Sequence, residues 1–236
     1  MSEHRYQQYC GAARALDVVG DRWTLLIVRE LLLGPRRFTD LLHGLPGISR
    51  NLLTERLRAL GRDGIVARAE LPPPAARQVY ELTEDGRDLA NAMIPLVAWG
   101  ARRLGTRAPG ESFRAHWAAL AMATFADTEA ADGVSETYPY FVGREAFHFV
   151  VDDGAIQLRY GRAENPAVTV TTDDETWADI ASGQTTAYTA ADAGALTLTG
   201  DPRAAKRLGK ILSRRRVLAT AEGIVTGARR HDRRSA

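Results

Sequence analysis

Arg50, Asn51, Thr54 and Arg58 follow Ser49 at spacings that bring them onto one side of a helix. Their side chains carry the donors and acceptors that base edges need. An arginine can donate bidentately to guanine O6 and N7, and an asparagine can pair with adenine N6 and N7. Each such contact is worth ~1–3 kcal/mol of discrimination. Arg36, Arg37, Arg68 and Arg77 flank this stretch and offer positive charge suited to phosphates, a contact that positions a protein without selecting a sequence. Other chemistry is sparse. The histidines His4, His43, His116, His148 and His231 lack any paired ligand spacing, and no HExxH, GxSxG, P-loop or GxGxxG occurs. The acidic run Asp173-Asp174-Glu175 reads as a helix N-terminus favoured by the helix dipole rather than as a metal site. No catalytic residue, cofactor or metal is expected, and the chain is not expected to be an enzyme.

The elements that must position these residues are legible in RRFTDLLHGLPGISRNLLTERLRAL, residues 36–60. A short apolar helix carrying Phe38, Leu41 and Leu42 ends in a turn at Gly44 and Pro46-Gly47. A second helix opens behind Ser49, a good N-cap residue. Two helices joined by a tight glycine-containing turn form a helix-turn-helix, whose second helix enters the major groove of DNA. GIVARAE at 64–70, LPPPAA at 71–76 and RQVYEL at 77–82 then read as two strands around a proline-rich tip, the wing of a winged helix. Double-stranded DNA is the implied partner.

A helical wheel over residues 49–62 places Leu53, Leu57 and Leu60 on one face with Leu52 at its edge, as core anchors. Asn51, Thr54, Glu55, Arg58 and Arg62 point away. Arg50 and Asn51, at the N-terminal end, are the expected base readers, with Thr54 and Arg58 beside them. Arg58 has a second reading as an ion-pair partner of Glu55, and Arg56, flanking the apolar face, reads as structural. Ser49 is expected to cap the helix, and the neighbouring amides could also hold a phosphate. Arg36 and Arg37 suit backbone phosphates or plain solvated surface. Arg68 and Arg77 flank the wing tip, with Arg77 the stronger candidate for a phosphate or minor-groove contact.

Composition sets the frame. A chain of 236 residues with 45% hydrophobic and 25% charged residues is an ordinary globular sequence, long enough for two domains. No stretch approaches the ~20 apolar residues that span a bilayer, and MSEHRYQQ lacks the apolar core of a signal peptide, so a cytoplasmic protein without membrane contact is expected. The single cysteine, Cys10, excludes an intramolecular disulfide. Charge is uneven: 16 basic against 12 acidic residues over 1–107, 4 against 14 over 108–200, and 11 against 3 over 201–236. The acidic middle repels phosphates, which confines DNA contact to the first part, with a possible contribution from the tail.

Three ordered groups of segments carry a resemblance. ALDVVGDRWTLLIVREL at 15–31 comes first; RFTDL, PGIS, LTERLRAL and DG lie between 37 and 64; YELT and GR follow at 80–87. Over about residues 10–104 the chain resembles the HxlR family of bacterial winged-helix transcriptional regulators. The resemblance implies a homodimer on an operator near a promoter. Cys10 stands where family members sometimes carry a cysteine that senses oxidants or electrophiles, although Gly11 replaces the usual proline after it. Redox sensing and an inert, half-buried thiol both remain readings of Cys10.

Helices are expected near residues 11–18 and 22–33, and a long one from Thr83 to about Leu104, bent at Pro95. The stripe Leu89, Met93, Leu96, Val97, Trp99 and Gly100 on the long helix suits a dimer interface or packing within the chain. GTRAPG at 105–110 marks the boundary. Beyond it, Ser112 is expected to cap a helix bearing Phe113, Trp117, Leu120 and Phe125. Strands follow at 137–142, 145–151, 155–160, 168–172 and 195–199, with a hairpin turn at Asp152-Asp153-Gly154. A short helix over Trp177 and Ile180 is closed by Gly183, and Pro202 opens a last helix. FHFVVDDG at 147–154, VTVTTDDETW at 168–177 and GALTLTGDP at 194–202 give residues 112–215 a resemblance to the sterol carrier protein type two fold, a curved sheet covered by helices around an apolar tunnel that takes lipids. Trp117, Phe125, Phe147, Phe149 and Trp177 are the candidate ligand wall, or else core.

The expected fold is α+β: an N-terminal winged helix-turn-helix domain followed by an α/β sterol-carrier-like domain with a curved sheet and covering helices. The domains are 1–107 for DNA binding and dimerisation, 108–228 for an effector or for dimerisation, and 229–236 as a disordered basic tail. The expected function is sequence-specific, dimeric transcription regulation modulated by a small apolar ligand. The alternatives are a regulator whose second domain only dimerises, and a lipid or small-molecule carrier.

Overall fold

The computed structural model describes residues 6–71, 77–105 and 107–212. The chain has two compact units, Met1–Trp99 and Gly100–Ala236, and is of mixed α+β class. The N-terminal unit runs α1 (Gly11–Val19), α2 (Thr24–Leu31), α3 (Phe38–Gly44), α4 (Arg50–Arg62), β1 (Val66–Glu70), β2 (Gln78–Leu82) and α5 (Glu84–Ala101). This is the expected helix-turn-helix followed by a hairpin. α2 begins two residues later than its periodicity suggests because Trp23 sits at φ 79, outside helical space. The proline-rich tip, residues 72–76, and the basic tail lie outside the described residues.

The leucines of α4 anchor it. Leu53, Leu57 and Leu60 are buried against Ile27, Val28 and Leu31 of α2, Leu41 of α3 and Leu82 of β2, each contributing on the order of 1.5–3 kcal/mol. Beside this core lies a fully buried carboxylate, Glu30. Arg29 binds its Oε1 through Nε at 3.2 Å and Nη2 at 2.9 Å, and Arg36 Nη2 stands 3.8 Å from Oε2. Gly44 is the close-approach residue. A Cβ there would lie 2.3 Å from Glu30 Oε2. Sequence pattern assigns Gly44 to the turn, whereas it ends α3, and Gly47 at φ 91 supplies the left-handed turn position.

Arg36 also pairs with the wing through its backbone, Arg36 N to Tyr80 O at 2.9 Å and Tyr80 N to Arg36 O at 2.8 Å. β1 and β2 are antiparallel with Val66 opposite Leu82 and Arg68 opposite Tyr80. Thr83 locks the hairpin to α5. Its Oγ1 donates to Gly64 O and accepts from Gly86 N at 3.0 Å, and Gly86 is pressed so close to Ile65 O that a Cβ would stand 2.2 Å away.

The C-terminal unit contains α6 (Ala115–Thr124), β3 (Ser135–Val142), β4 (Glu145–Asp152), β5 (Ala155–Tyr160), β6 (Val168–Thr172), α7 (Asp174–Ser182), α8 (Ala187–Asp192), β7 (Leu196–Gly200) and α9 (Pro202–Ile211). Strand order is β5-β4-β3-β6-β7, antiparallel except for the parallel β3–β6 pair. Asp153 at φ 45 and Gly154 at φ 83 form the expected hairpin turn. Asp173 caps α7 through Thr176 N at 2.7 Å, and Gly183 closes that helix in the left-handed region.

The N-terminus of α6 departs from the sequence pattern. Ser112 does not cap α6, which starts at Ala115. The Glu145 carboxylate from β4 accepts from Ala115 N at 3.2 Å and His116 N at 3.3 Å, so the cap is tertiary and invisible to local pattern. Phe113 precedes this helix and Phe125 follows its last residue. Helix α8 has no signature in the sequence, because six residues without an apolar stripe carry little periodicity; Thr186 caps it through Thr189 N.

Gly44→Ala forces a methyl onto a buried carboxylate, and overpacking of this kind costs about 1–3 kcal/mol. The urea midpoint of the N-terminal unit's transition should fall accordingly, and an unshifted midpoint would show that Glu30 is free to move aside.

Candidate nucleic-acid interface

The interface is built on α4. Ser49 accepts from Leu52 N at 3.2 Å and so caps the helix, fixing the first turn that carries Arg50 and Asn51. Both side chains are exposed, and neither forms an ion pair or hydrogen bond with another described residue. Thr54 is half-buried and its Oγ1 donates to Arg50 O at 2.9 Å, which leaves the hydroxyl oxygen's lone pairs for an outside donor. Arg58 is exposed. Its alternative partner Glu55 pairs instead with Arg56, at 3.3 Å, and Arg56 is held mainly by Asp21 at 2.7 Å. With a side chain only 16% exposed, Arg56 ties α4 to the segment ahead of α2.

The phosphate candidates divide. Arg36 turns toward Glu30 and is only 19% exposed, so it serves the interior of the unit. Arg37 is 42% exposed and forks onto Asp40, Nε to Oδ2 at 2.8 Å and Nη2 to Oδ1 at 2.7 Å. The Arg37 guanidinium holds the Asp40 carboxyl below the ordinary range. Arg68 is exposed on β1, its guanidinium 5.6 Å from the centroid of the Tyr80 ring. Arg77 is exposed at the start of the second wing strand. Sequence reasoning left out Tyr80, whose alternation marks it only as a strand residue, and Arg62, which lines a groove with Arg58 and Arg68.

The ligand candidates of the C-terminal unit occupy two environments. Phe147, Phe149 and Trp177 are buried and pack ring to ring around Tyr140, at centroid separations of 5.4, 5.3 and 5.2 Å. The Trp177 indole donates to Ala115 O at 2.9 Å. Trp117 and Phe125, toward the two ends of α6, are half-buried. Cys10 is exposed immediately before α1, where the nearby backbone amides of Ala13 and then Ala12 favour the thiolate and lower its pKa. Among the described residues no group of three His, Cys, Asp or Glu is placed to hold a metal ion, and no helix is long and apolar enough to cross a membrane.

Comparison with known proteins agrees with this architecture. Residues 18–107 match the family model described as HxlR-like helix-turn-helix, a match that begins after Cys10, and residues 122–213 match that of the SCP-2 sterol transfer family. The chain is 45% identical over 97 residues to an HTH-type transcriptional regulator of Mycobacterium tuberculosis, covering 41% of this chain and 60% of that protein. It is 38% identical over 85 residues to the HTH-type transcriptional regulator YodB of Bacillus subtilis, covering 36% of this chain and 76% of the relative. The solved reduced form of YodB aligns with 33% identity over 44% of this chain and 100% of that chain, at a TM-score of 0.36.

Removing the cap tests how α4 presents its first turn. Ser49→Ala should cost about 1 kcal/mol and speed hydrogen exchange at the Leu52 amide. An unchanged exchange rate there would mean that packing alone holds the turn.

Proposed function

The chain belongs, through residues 18–107, to the HxlR-like helix-turn-helix family, and on that premise we propose that it is a dimeric, cytoplasmic, sequence-specific DNA-binding regulator of transcription. The observation that carries this reading is the two-sidedness of α4. Leu53, Leu57 and Leu60 are buried, while Arg50 and Asn51 stand exposed at its capped N-terminal end. That end is the one a helix-turn-helix offers to the major groove. Arg50 and Asn51 read bases, Thr54 supports them, and Arg68 and Arg77 hold the backbone from the wing. The relatives are transcriptional regulators rather than enzymes, and no catalytic role is assigned to any residue.

Two copies assemble through α5. Its stripe splits: Met93 is buried in the core of its own unit and Leu89 packs against that core, whereas Leu96 and Trp99, with Ile94 outside the stripe, remain 49%, 49% and 44% exposed. Large apolar side chains at this exposure on one helix suit a self-complementary contact. The two recognition helices then address half-sites related by the dimer axis.

The C-terminal unit is read as an effector domain for a small apolar molecule, with Trp117 and Phe125 the accessible members of its aromatic set. A second reading, in which this unit only supports assembly, is favoured by the packing of Phe147, Phe149 and Trp177 against Tyr140, since rings in mutual contact already fill the space between them. Native mass spectrometry with palmitate separates the two: a retained fatty acid supports the effector reading, and its absence supports the second.

In gel shifts on a duplex selected by the protein, Arg50→Ala and Asn51→Ala should each erase about 1–3 kcal/mol of preference over single-base variants while leaving the fold intact. Retained preference in both would remove these residues from base reading. Leu96→Glu should move the sedimenting species from dimer to monomer, and an unaltered dimer would place the interface elsewhere.

A further inference from the structure

Beyond the capped end of α4, the helix and the hairpin enclose a groove of about 560 Å3. Its charge has one sign. Arg58, Arg62 and Arg68 line it, together with Leu57, Gly61 and Tyr80 among others, and no carboxylate does. Arg58 and Arg62 are exposed and form no ion pair with another described residue. Arg68 lies over the Tyr80 ring, which limits the conformations of an otherwise mobile side chain and aims its charge. Gly61 adds no side chain of its own to the α4 wall between Arg58 and Arg62. An open concavity with three guanidinium groups and no counter-charge selects an anion.

Helix geometry says which anion. Arg50, Thr54, Arg58 and Arg62 form a single row at intervals of four residues along α4. At a rise of 1.5 Å per residue, Arg58 lies ~12 Å and Arg62 ~18 Å along the axis from Arg50. The major groove of B-DNA is ~12 Å wide. With the first turn of α4 at the bases, Arg58 reaches the wall of the groove and Arg62 lies past it. DNA presents only its sugar-phosphate backbone there.

We propose that Arg58, Arg62 and Arg68 form a clamp for a backbone phosphate of the bound duplex, so that Arg58 and Arg62 are phosphate contacts rather than base readers. This rests on the reading of Arg50 and Asn51 as the base-reading end. The clamp ties helix and wing to one strand of the backbone. A phosphate held by charge carries no sequence information, so its signature is in salt dependence.

The test uses the full chain and a fluorescein-labelled duplex selected by it from a random library, with single-base variants of that duplex. Anisotropy titrations between about 50 and 200 mM salt give the slope of log affinity against log salt, and removing one arginine–phosphate pairing should lower its magnitude by about 0.9. Arg62→Ala and Arg68→Ala are expected to lower the slope by that amount and to weaken the selected and variant duplexes by one common factor. Arg62→Lys should restore the slope, which separates an effect of charge from an effect of misfolding. Arg58→Ala should likewise leave the ranking of the variants unchanged. An unaltered slope in both alanine variants overturns the clamp while leaving base reading by Arg50 and Asn51 intact. An altered ranking in Arg58→Ala overturns the role given to Arg58. A thermal shift of the free protein by inorganic phosphate that saturates and depends on Arg62 would give the groove to a free anion and overturn the clamp. A protein that selects no sequence, yet loses slope in Arg62→Ala on random duplex, supports the clamp and removes the base-reading premise.

Discussion

A single buried carboxylate governs the geometry of the N-terminal unit. Glu30 is fully enclosed, and an isolated carboxylate in that position would be untenable without compensating donors. Arg29 supplies two of them from the same helix, and Arg36 brings a second guanidinium from the segment that leads into α3. Because Arg36 also exchanges backbone hydrogen bonds with Tyr80, the demand of one acid for compensation reaches α2, α3 and the wing at once. Gly44 completes the arrangement by leaving room for the carboxylate against α3. Such networks are weak evidence of stability in themselves. Their consequence is that neighbouring elements have one mutual arrangement in which every charge is matched.

On that frame α4 is held from behind. Its leucines fix the rotation of the helix about its axis, and Arg56 with Asp21 fixes it against the segment before α2. Rotation determines which residues face outward, so the row Arg50, Thr54, Arg58, Arg62 is set largely by the buried leucines of the opposite face. Ser49 then holds the end of the row in helical form.

Much of this was legible in the chain because it rests on local rules. Leucine spacing, a serine cap, an Asp-Gly turn and alternating strands each announce an element within a few residues. What was hidden depends on partners distant in sequence. Arg36 reads as surface charge until Glu30 is seen beneath it, and Gly44 reads as a turn residue until the same carboxylate fills the space a methyl would need. The N-terminus of α6 is capped by Glu145, some thirty residues onward, and Ser112, which has the right chemistry, stands too early. Arg62 reads only as one of the outward residues of α4, because a helix-end arginine acquires a place in a groove only once the hairpin folds back beside it.

The division of labour around α4 bears on how such a protein can change over generations. The side chains that hold the helix down and those that face outward occupy opposite sides of one cylinder. If Arg50 and Asn51 read bases as proposed, a lineage can exchange them for other polar residues and acquire a new target site with little loss of folding, whereas exchanges at Leu53 or Leu57 erode the scaffold. Divergence among paralogues should thus collect on the outward side.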